Sequence, residues 1–312
     1  MKTYSTFEEY MYDKYYDQIY NHIKRFLFQK KRSAFLNTNI IQDVIRFELD
    51  DYHIMGVTYK TPGGDVLNFR LSVIVDVIVS GKSRYEYESD SKSVWLSINC
   101  TSTLKNGLKD FTIVTVEEYS QEKFDKERTL DRFLVPYLYS EEADKTAENF
   151  LRDHCTQALQ KAMPLPIQEI VRNLGMELYY APLDNKTFGK TYFETSVVIV
   201  YSDSTFSKTT QITVKPGAML VNPNVFFMYN IGTLNNTIIH ECVHWKRHRM
   251  FFEMMKLLNQ EYRYISCEIV EMYGADRAKS TPLEWIEWQA NTLAPKILMP
   301  ASTTKKFIQD KQ

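Results

Sequence analysis

The chain has 312 residues, 44% of them hydrophobic and 25% charged, which is enough apolar material for roughly two domains with packed cores. That composition excludes a wholly disordered, collagen-like or disulfide-scaffold protein. Thirty-eight Lys and Arg against 39 Asp and Glu leave a net charge of -1, so no long-range field marks a dedicated nucleic-acid binder, and direct nucleic-acid binding is not expected.

The four cysteines, Cys100, Cys155, Cys242 and Cys267, form no CxxC pair, which fits a reducing compartment rather than a stapled secreted fold. The first twenty residues mix charge and tyrosine without an apolar h-region, so a secretory signal is not expected. The longest apolar run, LSVIVDVIVS at 71–80, is broken by Asp76 and falls short of the ~20 residues that span a bilayer. A cytoplasmic protein without a membrane partner is the expectation.

In chain order, Ser5 and Glu8 have the spacing of a capping box. Phe7, Met11, Tyr15, Ile19, Ile23 and Phe26 then recur every three to four residues, which predicts an amphipathic helix ending near Lys30. The basic cluster at its end, Lys24 to Arg32, reads as the solvated face of a packed helix rather than a membrane or nucleic-acid arm. From about 40 to 118 the period changes to two, and VIRFEL, LNFRLSVIVDVIV, SRYEYES, SVWLSINC and FTIVTVEE read as strands. PGGD at 62–65, SGK at 80–82 and NGLKD at 106–110 read as the hairpin turns between them. A helix against an antiparallel meander is therefore predicted for residues 1–124.

The charged stretch EEYSQEKFDKER at 117–128 marks a boundary, with helical sequence following to about Met163. In PLPIQEIVRNLG, Pro166 suits a first helical position, Ile167, Ile170, Val171 and Leu174 share a face, and Gly175 supplies the stop. SVVIVYS, QITVK and AMLVN read as strands, and a long helical pattern runs from about Leu234 to Leu258.

That last helix carries NNTIIHECVHWKRH, in which His240 and His244 frame Glu241 as HExxH. Residues four apart on an α-helix differ by about 40° in azimuth and about 6 Å in rise, so both imidazoles can meet one ion. Neutral imidazoles suit Zn²⁺, and the adjacent glutamate is placed to act as general base toward water. In a chain with six histidines an HExxH arises by chance with a probability on the order of 1%. Unpaired imidazoles among the apolar neighbours Ile238, Ile239 and Val243 would also cost free energy.

A zinc peptidase needs a third protein ligand. His248 lies about 12 Å along the helix from His240, too far to join the same ion, and is expected either to support a ligand or simply to be exposed. Downstream, Thr281, Pro282 and Glu284 read as N-cap, first helical residue and capping-box partner of a helix carrying Glu287 and Asn291. Glu287 is the preferred ligand, with Asn291 one turn on to orient a ligand; Glu284 is the competitor, and Glu268, Glu271 and Asp276 are further options.

HECVHWKRH at 240–248, EWQANTLAPKILMP at 287–300 and PLPIQEIVRNLGMELYYAPL at 164–183 together resemble the ImmA/IrrE-type metallopeptidases over about half of the chain. The resemblance implies one Zn²⁺ per chain held by His240, His244 and Glu287, with Glu241 as general base. It implies an α+β protein in which residues 125–312 form a zincin-like mixed α/β peptidase domain with an HExxH active-site helix. It also implies a protein substrate, a helix-turn-helix transcriptional repressor. The chain departs from the family pattern at Ile239, Val243 and Pro295, and Pro295 is expected to end or kink its helix after Ala294. Residues 1–120 match nothing in that family. Tyr192, Tyr201 and Tyr229 lie in the catalytic half, but nothing assigns any of them to an oxyanion. Cys242 should face away from the ligand pair and be buried.

Overall fold

A computed structural model describes residues 3–30, 34–59, 66–82, 86–103, 108–127, 134–225, 229–258, 264–268 and 281–310. Its chain divides into two compact units, Met1–Leu134 with Leu257–Gln260, and Val135–Lys256 with Glu261–Gln312.

In the first unit, α1 (Phe7–Lys30) buries Phe7, Met11, Ile19, Ile23 and Leu27, largely the predicted stripe. Its N-terminus is set one residue later than the sequence suggests. Thr6 Oγ1 accepts from Glu9 N at 3.2 Å and Glu9 Oε2 accepts from Ser5 N at 2.9 Å, so Thr6 and Glu9 do what was expected of Ser5 and Glu8. Four strands, β1 (Asp43–Tyr59), β2 (Val66–Lys82), β3 (Tyr87–Thr103) and β4 (Thr112–Glu118), pair antiparallel in sequence order. Along β2 every second side chain, from Leu67 and Phe69 to Val77 and Val79, is buried. The α1 helix lies on that face, with the Phe7 and Phe69 rings 6.0 Å apart and Tyr20 donating to Leu49 O at 2.7 Å. Each such apolar side chain contributes about 1.5–3 kcal/mol on burial.

The meander differs from expectation in two places. Ser80, Gly81 and Lys82 continue β2 rather than turning, and the described part of the segment read as a strand at 83–89 joins the one read at 93–100 in a single long strand, β3, from Tyr87. The turn expected at 62–65 lies outside the described residues, as do Asn106 and Gly107, but 108–110 turn as expected, with Leu108 at φ +58° and Phe111 N donating to Leu108 O at 2.9 Å. Within the charged stretch Gln121–Glu127 forms α2, which groups with the first unit, whose contacts run on to Leu134. The Phe124 ring of α2 lies against Trp95, centroids 5.3 Å apart, and Glu127 pairs with Arg70 at 2.6 Å, so the sheet's second face holds this segment.

The second unit opens with α3 (Ala143–His154) and α4 (Ile167–Asn173). Pro166 is the N-cap of α4 rather than its first residue, and Gly175, at φ +68°, stops the chain's helical path as expected. The strands that follow are short: β5 (Glu177–Tyr180), β6 (Thr187–Tyr192), β7 (Ser196–Tyr201), β8 (Thr209–Val214) and β9 (Ala218–Val221). Helix α5 (Ile231–Val243) runs into a π-helical stretch, His244–His248, and then α6 (Arg249–Leu257). Strand β10 (Tyr264–Glu268), α7 (Pro282–Leu298) and α8 (Ala301–Gln309) complete the unit.

The main sheet has the order β10-β6-β9-β5, mixed because β5 and β9 are parallel while the other pairs are antiparallel; β7 and β8 form a separate hairpin. Pro295 does not end its helix. It removes one backbone hydrogen bond close to the C-terminus of α7, where buried Leu293, Ala294 and Ile297 hold the helix through to Leu298. Among the described residues no helix is long and apolar enough to cross a membrane.

Candidate metal centre

Asn230 caps α5 by accepting from Thr233 N at 2.9 Å, and the helix then buries everything from Thr237 to Val243. His240 and His244 lie one turn apart on it, both fully buried, with Nε2 atoms 2.9 Å apart. Two nitrogens each about 2.0–2.1 Å from one tetrahedral ion would lie about 3.3 Å apart, so the observed spacing is within half an ångström of that.

The third group comes from α7. Its N-terminus carries the predicted capping box, Thr281 N donating to Glu284 Oε2 at 2.7 Å and Glu284 N to Thr281 Oγ1 at 3.2 Å. That fixes Glu284 as an exposed cap and removes it as a ligand candidate. Glu287, one turn on, sets Oε2 3.2 Å from His240 Nε2 and Oε1 3.4 Å from His244 Nε2. One donor atom from each of His240, His244 and Glu287 lies within 4.8 Å of the others. Glu268 ends β10, while Glu271 and Asp276 lie outside the described residues.

The electrostatics suit a cation. Burial pushes the His244 ring below its ordinary value, against the pull of Glu287. Burial also pushes the Glu287 carboxyl up, yet the His244 and His240 rings against it prevail and hold it well below the usual carboxylate range. Burial thus favours the neutral form of the His244 ring, while the carboxylate is held charged. Glu287 Oε1 is buried and accepts no hydrogen bond among the described residues. Two nitrogens and one carboxylate oxygen, with an orphaned buried acceptor among them, fit a divalent ion.

Glu241 is fully buried and faces β6, where Thr191 Oγ1 donates to its Oε2 at 2.6 Å. Gly189 makes room for it: a Cβ there would lie 2.8 Å from Glu241 Oε1 and 2.9 Å from Thr237 Cγ2. A strand carrying Thr187, Gly189 and Thr191 toward one side was not read from the sequence, since two hydroxyls and a glycine lack the apolar alternation that marks a half-buried strand.

His248 is not exposed. Its ring is fully buried, with Nδ1 3.0 Å from His244 Nδ1 and Nε2 3.2 Å from Gln289 Oε1. A straight α-helix drifts about 40° with each step of four residues. The π-helical turn starting at His244 interrupts that drift, so three histidines follow one another along a single face. Burial, with the neighbouring His244 and Arg247, pushes His248 well below the ordinary histidine value. Gln289 in turn donates from Nε2 to Pro136 O at 2.8 Å and accepts from Arg247 Nε at 2.6 Å, while Arg247 also donates to Tyr137 O at 2.8 Å.

Gln289 thus takes the orienting position expected of Asn291, which is exposed. The missed signal is a polar residue on the stripe of Trp285, Ile286, Ala290, Leu293 and Ile297: a glutamine there is buried and must find partners. Cys242 is fully buried and pushed upward by burial, as an inert thiol is. Tyr192 packs in an apolar cluster with Val198 and Leu220, Tyr201 lies against Phe206, and Tyr229 against Phe188. No protein-family model matches the chain, and no curated protein matches it.

Proposed function

We propose that the chain is a zinc-dependent endopeptidase of the ImmA/IrrE type, its second unit a zincin-like domain, cutting a cytoplasmic helix-turn-helix repressor. The observation that carries the reading is the convergence of His240, His244 and Glu287, with Glu241 next to the first of them. A divalent ion held there supplies a Lewis acid that polarises a carbonyl and makes water more acidic. The Glu241 carboxylate takes a proton from the attacking water and returns it to the leaving amine. Thr191 on Oε2 fixes the plane of that carboxylate, and Gly189 leaves the space it occupies. The sequence resemblance supports zinc and the repressor substrate.

The complete burial of Glu241 against Thr191 favours a second reading, a metal-containing protein that binds and inactivates a repressor without cleaving it. One experiment separates the two. New protein N-termini are mapped in a bacterial lysate treated with the wild-type chain or with Glu241→Gln, both loaded with zinc. The peptidase reading expects new termini from the wild type only, with turnover falling at least about 10²- to 10⁴-fold in the variant. Matching profiles from two zinc-loaded proteins would instead support the binding reading.

A further inference from the structure

We propose that His248 and Gln289 are positioning residues that hold His244 in the tautomer with its proton on Nδ1, leaving a bare Nε2 for the ion. This inference rests on the reading of His240, His244 and Glu287 as metal ligands.

The proton order follows from groups whose roles are fixed. Arg247 Nε can only donate, and the Pro136 carbonyl can only accept. Gln289 lies between them with Oε1 2.6 Å from Arg247 Nε and Nε2 2.8 Å from Pro136 O. A flipped amide would set donor against donor at one end and acceptor against acceptor at the other, so the orientation of Gln289 is determined. Its Oε1 accepts, and therefore His248 Nε2, 3.2 Å away, carries the hydrogen. On a ring with a single proton, His248 Nδ1 is then an acceptor. His244 Nδ1, 3.0 Å from it, must donate. With that proton on Nδ1, His244 Nε2 has only its lone pair to offer, and it is this atom that lies 2.9 Å from His240 Nε2. Glu287 Oε1 lies 3.4 Å from His244 Nε2, longer than a usual N–H···O bond.

Without the relay, His244 is free to place its proton on Nε2 and hydrogen-bond Glu287, which closes both groups to a metal. The tautomer is read directly from ¹⁵N-imidazole spectra of the full chain stripped of metal, assigned with a His244→Gln control. The expected result is a protonated Nδ1 and an unprotonated Nε2 at His244, with the opposite pattern at His248. Zn²⁺ affinity is then measured by competition with a chromophoric chelator. Gln289→Leu and His248→Phe should each weaken it about 10- to 100-fold. His248→Asn, whose amide oxygen can replace the Nδ1 acceptor, should recover most of the loss, and far-ultraviolet circular dichroism establishes that each variant is folded. A His244 protonated on Nε2 in the wild type, or folded variants that bind zinc as the wild type does, would overturn the proposal. A wild-type chain that binds no Zn²⁺ would instead overturn the metal-site reading on which it rests.

Discussion

The two four-stranded sheets of this protein are built on opposite principles. In the first unit β2 runs for 17 residues and buries leucine, phenylalanine and valine at alternate positions against α1. In the second, β6 runs for six residues and turns Thr187, Gly189 and Thr191 inward, toward helices whose buried positions include His240, Glu241, His244, His248 and Gln289. One interior is held by non-directional apolar contact, the other by hydrogen bonds that each need a specific partner. An apolar core tolerates substitution by degrees, whereas a polar network fails when one member is lost.

Glu287→Ala tests the polar interior most severely. It removes the only carboxylate of the ligand group, and zinc retained after gel filtration should fall from about one per chain to less than about a tenth. Full retention would move the third ligand elsewhere. In the apolar interior, Leu71 is fully buried, and Leu71→Ala should lower stability by about 2–5 kcal/mol in urea unfolding while leaving zinc content unchanged. Loss of zinc in that variant, at a urea concentration where it is folded, would erase the contrast between the units.

A smaller effect sharpens the comparison, because it places one polar device in the apolar unit. Hydrogen bonds from Thr103 and Ser102 hold the Asp110 carboxyl down at about 2, below its ordinary value of 3.8. A lowered folded-state value means stability that is present above the ordinary value and lost as pH falls toward about 2. The gap in unfolding midpoint between the wild type and Asp110→Ala should therefore be steady near neutrality and narrow between about pH 4 and about pH 2. A gap independent of pH would show that the carboxylate charge contributes nothing.

The same division governs how much could be read from the sequence. The α1 stripe and the strands of the meander were legible because alternation and helical period are properties of one segment at a time. The turn read at 80–82 failed because Ser-Gly-Lys is as compatible with a strand end as with a hairpin. His240, Glu241 and His244 were legible because their spacing on one helix is itself the chemistry. Thr191, Gly189, Arg247 and Gln289 were not, since each matters only through a partner far along the chain. His248 shows the limit most clearly: its rise along the helix excluded it from the ion, but only its neighbours tell a supporting ring from an exposed one.

The relay behind His244 also sets an order of assembly. Gln289 joins His248 from 41 residues downstream and reaches Pro136 across 153 residues, while Arg247 reaches Tyr137 across 110. A chain synthesised from its N-terminus lays down the two carbonyls first, then the three imidazoles, and last the helix carrying Glu287 and Gln289. Until that helix docks, the pair of histidines has neither its carboxylate nor the contacts that orient it. Ion capture is therefore tied to completion of the unit, and a partly made chain presents only a weak, two-nitrogen site.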